Sequence, residues 1–277
     1  MKTEIHLKHE LLRLEQDREG NEPRGMLLSE LVPVMMKYIG STDAELRDHL
    51  IYGSLCRWTE HDRISADMMR EIAAEALDDQ HLFYKIGERG TDSVFTRTFS
   101  ALIIPVALYK HGRHPFLTEA EIRGMKEKLI RYLALEKDLR GYVEGKGWAH
   151  AAAHAADGLE SLARLEAMNR QDLHDMLAAI RDCICTGSYL YINDEDERLV
   201  NAAVSLWKRH LIDDDMLLDW VRSIADMPLN GSMHENETLR ANTKHFLRSL
   251  YFEMLKEQDT RKCTPFILEQ LNQRNRY

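Results

Sequence analysis

Cysteine is scarce, with four in 277 residues (Cys56, Cys183, Cys185 and Cys263) and no C-x-x-C pair. That excludes a zinc ribbon and a secreted-type disulfide framework, and leaves reduced, buried thiols in a cytoplasm as the expectation. Proline (6) and glycine (14) are too few for a linker-rich or loop-dominated chain. β-branched runs are rare. No apolar run approaches the roughly 18 residues of a membrane span, and the longest, Ala101 to Leu108, reads as a buried helix segment. Positive charge is in deficit: 37 Lys and Arg stand against 46 Asp and Glu, a net −9. Such a chain lacks the field that draws polyanions, and its longest basic cluster is Lys208-Arg209-His210. Neither nucleic acid nor membrane is an expected partner. Met1 to Glu10 is charged, so no signal-peptide core is expected there.

What is present is helix former. Leu, Ala, Glu, Arg and Met dominate, with 44% hydrophobic and 30% charged residues. Amphipathic periodicity predicts helices over about 4–18, 26–39 (with Pro33 inside), 43–58, 65–77 with a piece to 86, and 92–111, kinked at Pro105. Others follow over about 118–136, 147–166, 170–185, 193–210, 213–226, 235–256 and 264–274. Asp92 and Asn193 read as helix caps, and Thr118 with Glu121 as a capping box. Short loops joining about twelve helices predict one all-α domain over 1–277. An α-solenoid of the HEAT type is the preferred stacking and an α/α toroid the alternative. Three acid-then-arginine helix openings, ending at Arg47, Arg123 and Arg198, are either capping charges or the trace of a repeat.

Chemistry concentrates at residues 145–158, Gly-Lys-Gly-Trp-Ala-His-Ala-Ala-Ala-His-Ala-Ala-Asp-Gly. On a helix over 147–166, His150, His154 and Asp157 fall within roughly 60° of arc. Two imidazoles four residues apart plus a carboxylate suit Zn or Mn as a mixed N/O set. The zincin pattern H-E-x-x-H is not met, because Ala151 occupies the glutamate position. Two other readings stay open: a metal-free ligand pocket, and a buried polar network in a smooth, alanine-rich packing helix. Lys146, between two glycines at a helix N-terminus, is placed to hold an anion, or is simply an exposed loop lysine. Trp148 reads as core or as a ligand platform. Arg97, set in an apolar helix, needs a carboxylate such as Asp157, Glu144 or Glu195, or else acts as an anion clamp facing a cleft. No phosphate loop or Ser-His-Asp order is visible.

The stretch Arg140 to Asp157 resembles the hallmark of a bacterial family, a domain of unknown function. Asp92 to Ser100, Glu195 to Arg198 and Asn242 to Tyr251 are similar to it as well, and the resemblance runs from about residue 40 to about 255. It implies a bacterial, all-helical, cytoplasmic protein and no assigned activity. It also groups Lys146, Trp148, His150, His154 and Asp157 as a unit. The functional expectation is a helical-repeat module binding a small anionic ligand or a peptide near the central helix. The alternative is a metal-dependent hydrolase using His150, His154 and Asp157.

Overall fold

A computed structural model describes residues 3–16, 26–256 and 263–274. The described chain is all-α apart from one very small hairpin. None of the described helices is long and apolar enough to cross a membrane. The chain forms two compact units. The first draws on Met1–Glu121 and Leu135–His154, the second on Ile122–Ala134 and Ala155–Tyr277.

The first unit contains α1 (Glu4–Gln16), α2 (Met26–Lys37), a π-helical segment (Glu45–Tyr52) and α3 (Gly53–Glu60). After them come α4 (Ala66–Ala76), α5 (Ser93–Ala101) and α6 (Ile103–Arg113), then the first turn of α7 (Glu119–Leu135). Strands β1 (Tyr142–Val143) and β2 (Gly147–Trp148) and the start of α8 (Ala151–Ala163) complete it. Its core includes Leu11, Leu31, Met35, Leu46, Leu55, Trp58, Phe95 and Ile103. Residues 17 and 18, expected to continue the first helix, lie outside the described residues.

Three differences from the sequence expectation matter here. The helix expected over 43–58 begins as π-helix. Its buried residues come in pairs, Leu46-Arg47, Leu50-Ile51, Ser54-Leu55 and Trp58-Thr59. A plain α-helix drifts by about 40° at each four-residue step; the wider π turns at the start drift the other way and offset it, so the four pairs stay close to one face. The piece expected up to Ile86 is a series of turns. The helix expected over 92–111 is two helices, broken at Leu102. Pro105 has no N–H for the Ala101 carbonyl, so the backbone breaks one turn before it. Pro33, by contrast, is held inside α2.

The second unit holds the rest of α7 and α8, then α9 (Arg170–Ile184), α10 (Glu195–Trp207), α11 (Asp214–Ala225), α12 (Met233–Lys256) and α13 (Cys263–Arg274). Local chemistry sets these boundaries. Asn169 and Asp172 form a reciprocal capping box on α9, and Asp213 caps α11 by accepting from the Met216 N–H. Leu217, Trp220, Val221 and Ile224 then give α11 a buried stripe at helical spacing. Trp220 donates to the Leu177 carbonyl at 2.8 Å and stands edge-on to Phe246. Lys126 is buried, and Asp172 and Asp175 take its ammonium at 2.7 and 3.2 Å. Burial pushes the thiol of Cys183 up to about 11 and that of Cys263 to about 12, so both are protonated packing groups.

Asn193 is not the cap of α10. That position belongs to Asp194, which sits in the left-handed region at φ 63° and makes no side-chain cap bond. The Asn193 N–H instead donates to Glu195 at 2.8 Å. Glu195 is 1% exposed, and burial first, then Asp196 and Asp194, raise its carboxyl above the ordinary value. A raised folded pKa favours the folded state below the ordinary glutamate value, and that contribution is lost as pH rises through the folded value. Glu195→Gln removes the ionisation. Its stability relative to wild type therefore improves as pH climbs from about 4.5, measured by urea unfolding at a series of pH values. Parallel curves for the two proteins would contradict this.

Candidate functional site

The Gly-Lys-Gly-Trp stretch is a β-hairpin, not the first turn of the central helix. Tyr142 pairs with Trp148 and Val143 with Gly147. The Lys146 N–H donates to the Val143 carbonyl at 3.0 Å, closing a turn with Gly145 at φ 72°. Positive φ at that place is the type II requirement, which glycine meets without strain. Gly147 has φ 79° and a second constraint: a Cβ there would lie 2.9 Å from the Ala44 Cβ and 3.1 Å from Arg47 Nη2.

Arg47 explains that close approach. Its side chain is wholly buried, with the guanidinium 4.3 and 4.7 Å from the ring centres of Phe95 and Phe99. Nη1 donates to the Ser41 carbonyl at 2.7 Å and Nη2 to the Lys146 carbonyl at 2.8 Å. Asp48 supplies the countercharge, 2.7 Å from Nε. Burial pulls the guanidinium below its usual value and pushes the Asp48 carboxyl up, each partly offset by the other. The planar fork thus ties the π-helical segment to the hairpin backbone.

After the hairpin, His150 takes φ 51°, and α8 starts at Ala151. His150 is therefore outside the helix, so the expected single helical face carrying His150, His154 and Asp157 does not form. The left-handed residue is what turns the chain from strand into helix. The two histidines still meet, with ring centres 5.8 Å apart. His150 stacks on Trp148 at 4.4 Å and 20°, and Trp148 stands edge-on to Tyr142 at 5.1 Å. His154, 8% exposed, packs edge-on against Phe99. A row of rings thus runs from the exposed Tyr142 and Trp148, 50% and 40% accessible, to the buried Phe99.

The family model described as "Protein of unknown function (DUF2785)" matches residues 82–252. The chain belongs to this family. No curated protein and no solved structure matches it. The match begins at residue 82, so the resemblance expected from about residue 40 is matched only from there.

Lys146, Arg97 and Asp157 each have a partner of opposite charge. Lys146 Nζ donates to both oxygens of Asp92 at 2.6 and 2.7 Å. Asp92 makes no cap bond to α5, so its expected capping role is replaced by this ion pair. Arg97 is fully buried, and its partner is Glu136 rather than Asp157, Glu144 or Glu195. Nε and Nη2 of Arg97 reach the Glu136 carboxylate at 2.6 and 2.9 Å, while Nη1 serves the Tyr84 carbonyl and Ser93 Oγ. Glu136 also accepts from the N–H groups of Lys137 and Asp138, so the buried pair is well satisfied. Asp138 in turn accepts from the Gly90 N–H and from Arg140. These contacts fasten the segment leading into the hairpin onto the 88–93 loop.

Asp157 lies in the second unit. Arg198 Nε donates to its Oδ1 at 2.7 Å, and Arg198 Nη2 donates to Oδ2. Burial raises the Asp157 carboxyl, and Arg198 offsets part of that. Asn242, fully buried, accepts from the Tyr191 N–H and donates to the carbonyls of Thr186 and Tyr189, holding the loop before α10. Among the described residues there is no group of three or more His, Cys, Asp or Glu placed to hold a metal ion.

The site therefore gathers Lys146, Trp148, His150 and His154 in the first unit, with Arg97 bracing the approach to the hairpin. Sequence reasoning missed Arg47, Glu136 and Tyr142. Only Arg47 left a signal, in the acid-then-arginine opening at Asp43 to Arg47. The two glycines separate the constraints. Gly145→Ala meets no atom within 4 Å and costs about 1 kcal/mol through its backbone alone. Gly147→Ala adds the clash with Ala44 and costs about 3 kcal/mol. Urea unfolding of both variants distinguishes these values, and equal losses would contradict the close packing of the hairpin.

Proposed function

We propose that the chain is a binding module that takes a peptide on the hairpin, with Tyr142 and Trp148 as the anchoring side chains. The observation that carries this reading is their exposure on a rigid mount. Two large aromatic side chains stay accessible while the backbone beneath them is fixed by a buried arginine, two left-handed glycines and a web of ion pairs. Ordering them on binding costs little conformational entropy, which is why aromatic anchors dominate recognition surfaces. The chemistry favours a peptide over a small anion. Arg97 is locked in the interior by Glu136, and an anion at Lys146 would have to compete with Asp92, which already holds its ammonium.

The wider scaffold is proposed as one α-solenoid domain. Supporting it, helices close in sequence are also packing neighbours: α9 with α10 and α11, and α13 with α11 and α12. Free cysteines at all four positions fit a cytoplasmic setting.

The test is selection of a displayed random-peptide library on the folded protein, followed by titration of the enriched peptides. Trp148→Ala and Tyr142→Ala each weaken them by about tenfold or more, as expected for anchor residues, with the melting temperature within a few degrees of wild type. Peptides that bind Trp148→Ala as tightly as wild type, or a selection that enriches nothing, would overturn the reading.

A further inference from the structure

A second feature of the first unit is independent of the hairpin. Tyr52, Cys56 and Glu60 on one side, and Pro105, Val106 and Tyr109 on the other, line an open cavity of about 290 Å³. That is close to the lower end of small-molecule pockets. Its origin is physical. One wall is the junction where the π-helical segment ends at Tyr52 and α3 begins. The other is the start of α6, where Pro105 follows the break at Leu102. Two helices with interrupted backbones leave a gap that regular ridges would close. Tyr52 is propped edge-on against Phe99 at 6.1 Å.

The charges around the cavity are unevenly spent. Lys110, Arg113 and His114 all converge on Asp62, at 3.3, 3.1 and 3.7 Å. Arg57 is directed to Ser54 Oγ at 3.2 Å and to Glu15 at 3.7 Å. Arg113 also donates to the Glu60 backbone carbonyl and lies 6.0 Å from the Tyr109 ring centre. The Glu60 carboxylate enters no ion pair among the described residues. Its charge is felt inside the cavity, because it adds to burial in raising the Cys56 thiol. The walls thus present two phenol rings, a neutral thiol, apolar proline and valine, and one carboxylate without a countercharge.

The geometry points to a site for a small protonated amine carried on a flat, apolar body, with the ammonium at Glu60 and the body between Tyr52, Val106 and Tyr109. A cation gains from the carboxylate and from the aromatic faces together. An anion loses both contacts and is opposed by Glu60, while the nearby Lys110 and Arg113 are already held by Asp62.

The probe is 2-phenylethylamine, titrated by calorimetry and by NMR, with 2-phenylethanol and phenylacetate as neutral and anionic counterparts. Saturable binding of the amine is expected, with phenylacetate weaker by about tenfold or more. Glu60→Gln, at an exposed position, weakens the amine by about fivefold or more and leaves the alcohol unchanged. Val106→Phe fills the cavity and removes binding of all three, whereas Trp148→Ala changes none. No saturable amine binding, equal binding of phenylacetate, or indifference to Glu60→Gln would each overturn the assignment.

Discussion

A single buried guanidinium sets the geometry of the hairpin. Arg47 is enclosed by Phe95 and Phe99, yet Nη1 and Nη2 donate to the Ser41 and Lys146 carbonyls, and Asp48 supplies the countercharge beside Nε. A buried cation is tolerated only when its charge and hydrogen bonds are met together. That demand brings three chain segments to one point, and it explains local features that look unrelated. Gly147 is needed because the guanidinium and Ala44 leave no room for a Cβ. The π turns keep Arg47 and Leu46 facing inward together with the pairs that follow. Ala149 is sealed beside Phe95 and Val94.

The remaining ion pairs repeat this logic around the mount. Arg97 with Glu136 and Lys146 with Asp92 join the segment before and within the hairpin to α5, and Asp138 and Arg140 bond the Gly90 N–H and the Thr91 carbonyl of the preceding loop. The exposed Lys146 pair is worth little by itself, about 0–1 kcal/mol. The buried Arg97 pair matters through what its loss would leave behind, since removing one partner strands the other charge, a cost of about 3–5 kcal/mol. Together they leave a site whose cations are already matched and whose accessible chemistry is aromatic. This is why a peptide rather than a small anion is proposed as the ligand.

Much of the scaffold was legible in the sequence. Amphipathic spacing in α11 and the Thr118–Glu121 box rest on local chemistry, which a sequence displays. The central motif was legible as a unit but not as a shape. Two strands of two residues each are too short to show alternation, and the alanines after Trp148 made the whole stretch look helical. Partner identity was the least legible. Asp92 has the pattern of a cap, and only the fold shows that Lys146, 54 positions away, takes its carboxylate. Glu136 sits where a helix-end carboxylate normally faces solvent, which hid its pairing with Arg97. The π-helical segment was invisible because its paired hydrophobics at four-residue intervals also satisfy an ordinary amphipathic pattern.

Arg47 preforms the surface on which Tyr142 and Trp148 are presented. Backbone amide hydrogen exchange in Arg47→Met and Arg47→Lys, under conditions where both keep their helical circular dichroism, tests it most directly. The amides of Lys146, Ala149 and His150, bonded in wild type to the carbonyls of Val143, Gly141 and Arg140, should lose protection in both variants, while α11 and α12 keep theirs. Unchanged protection of those three amides would contradict it.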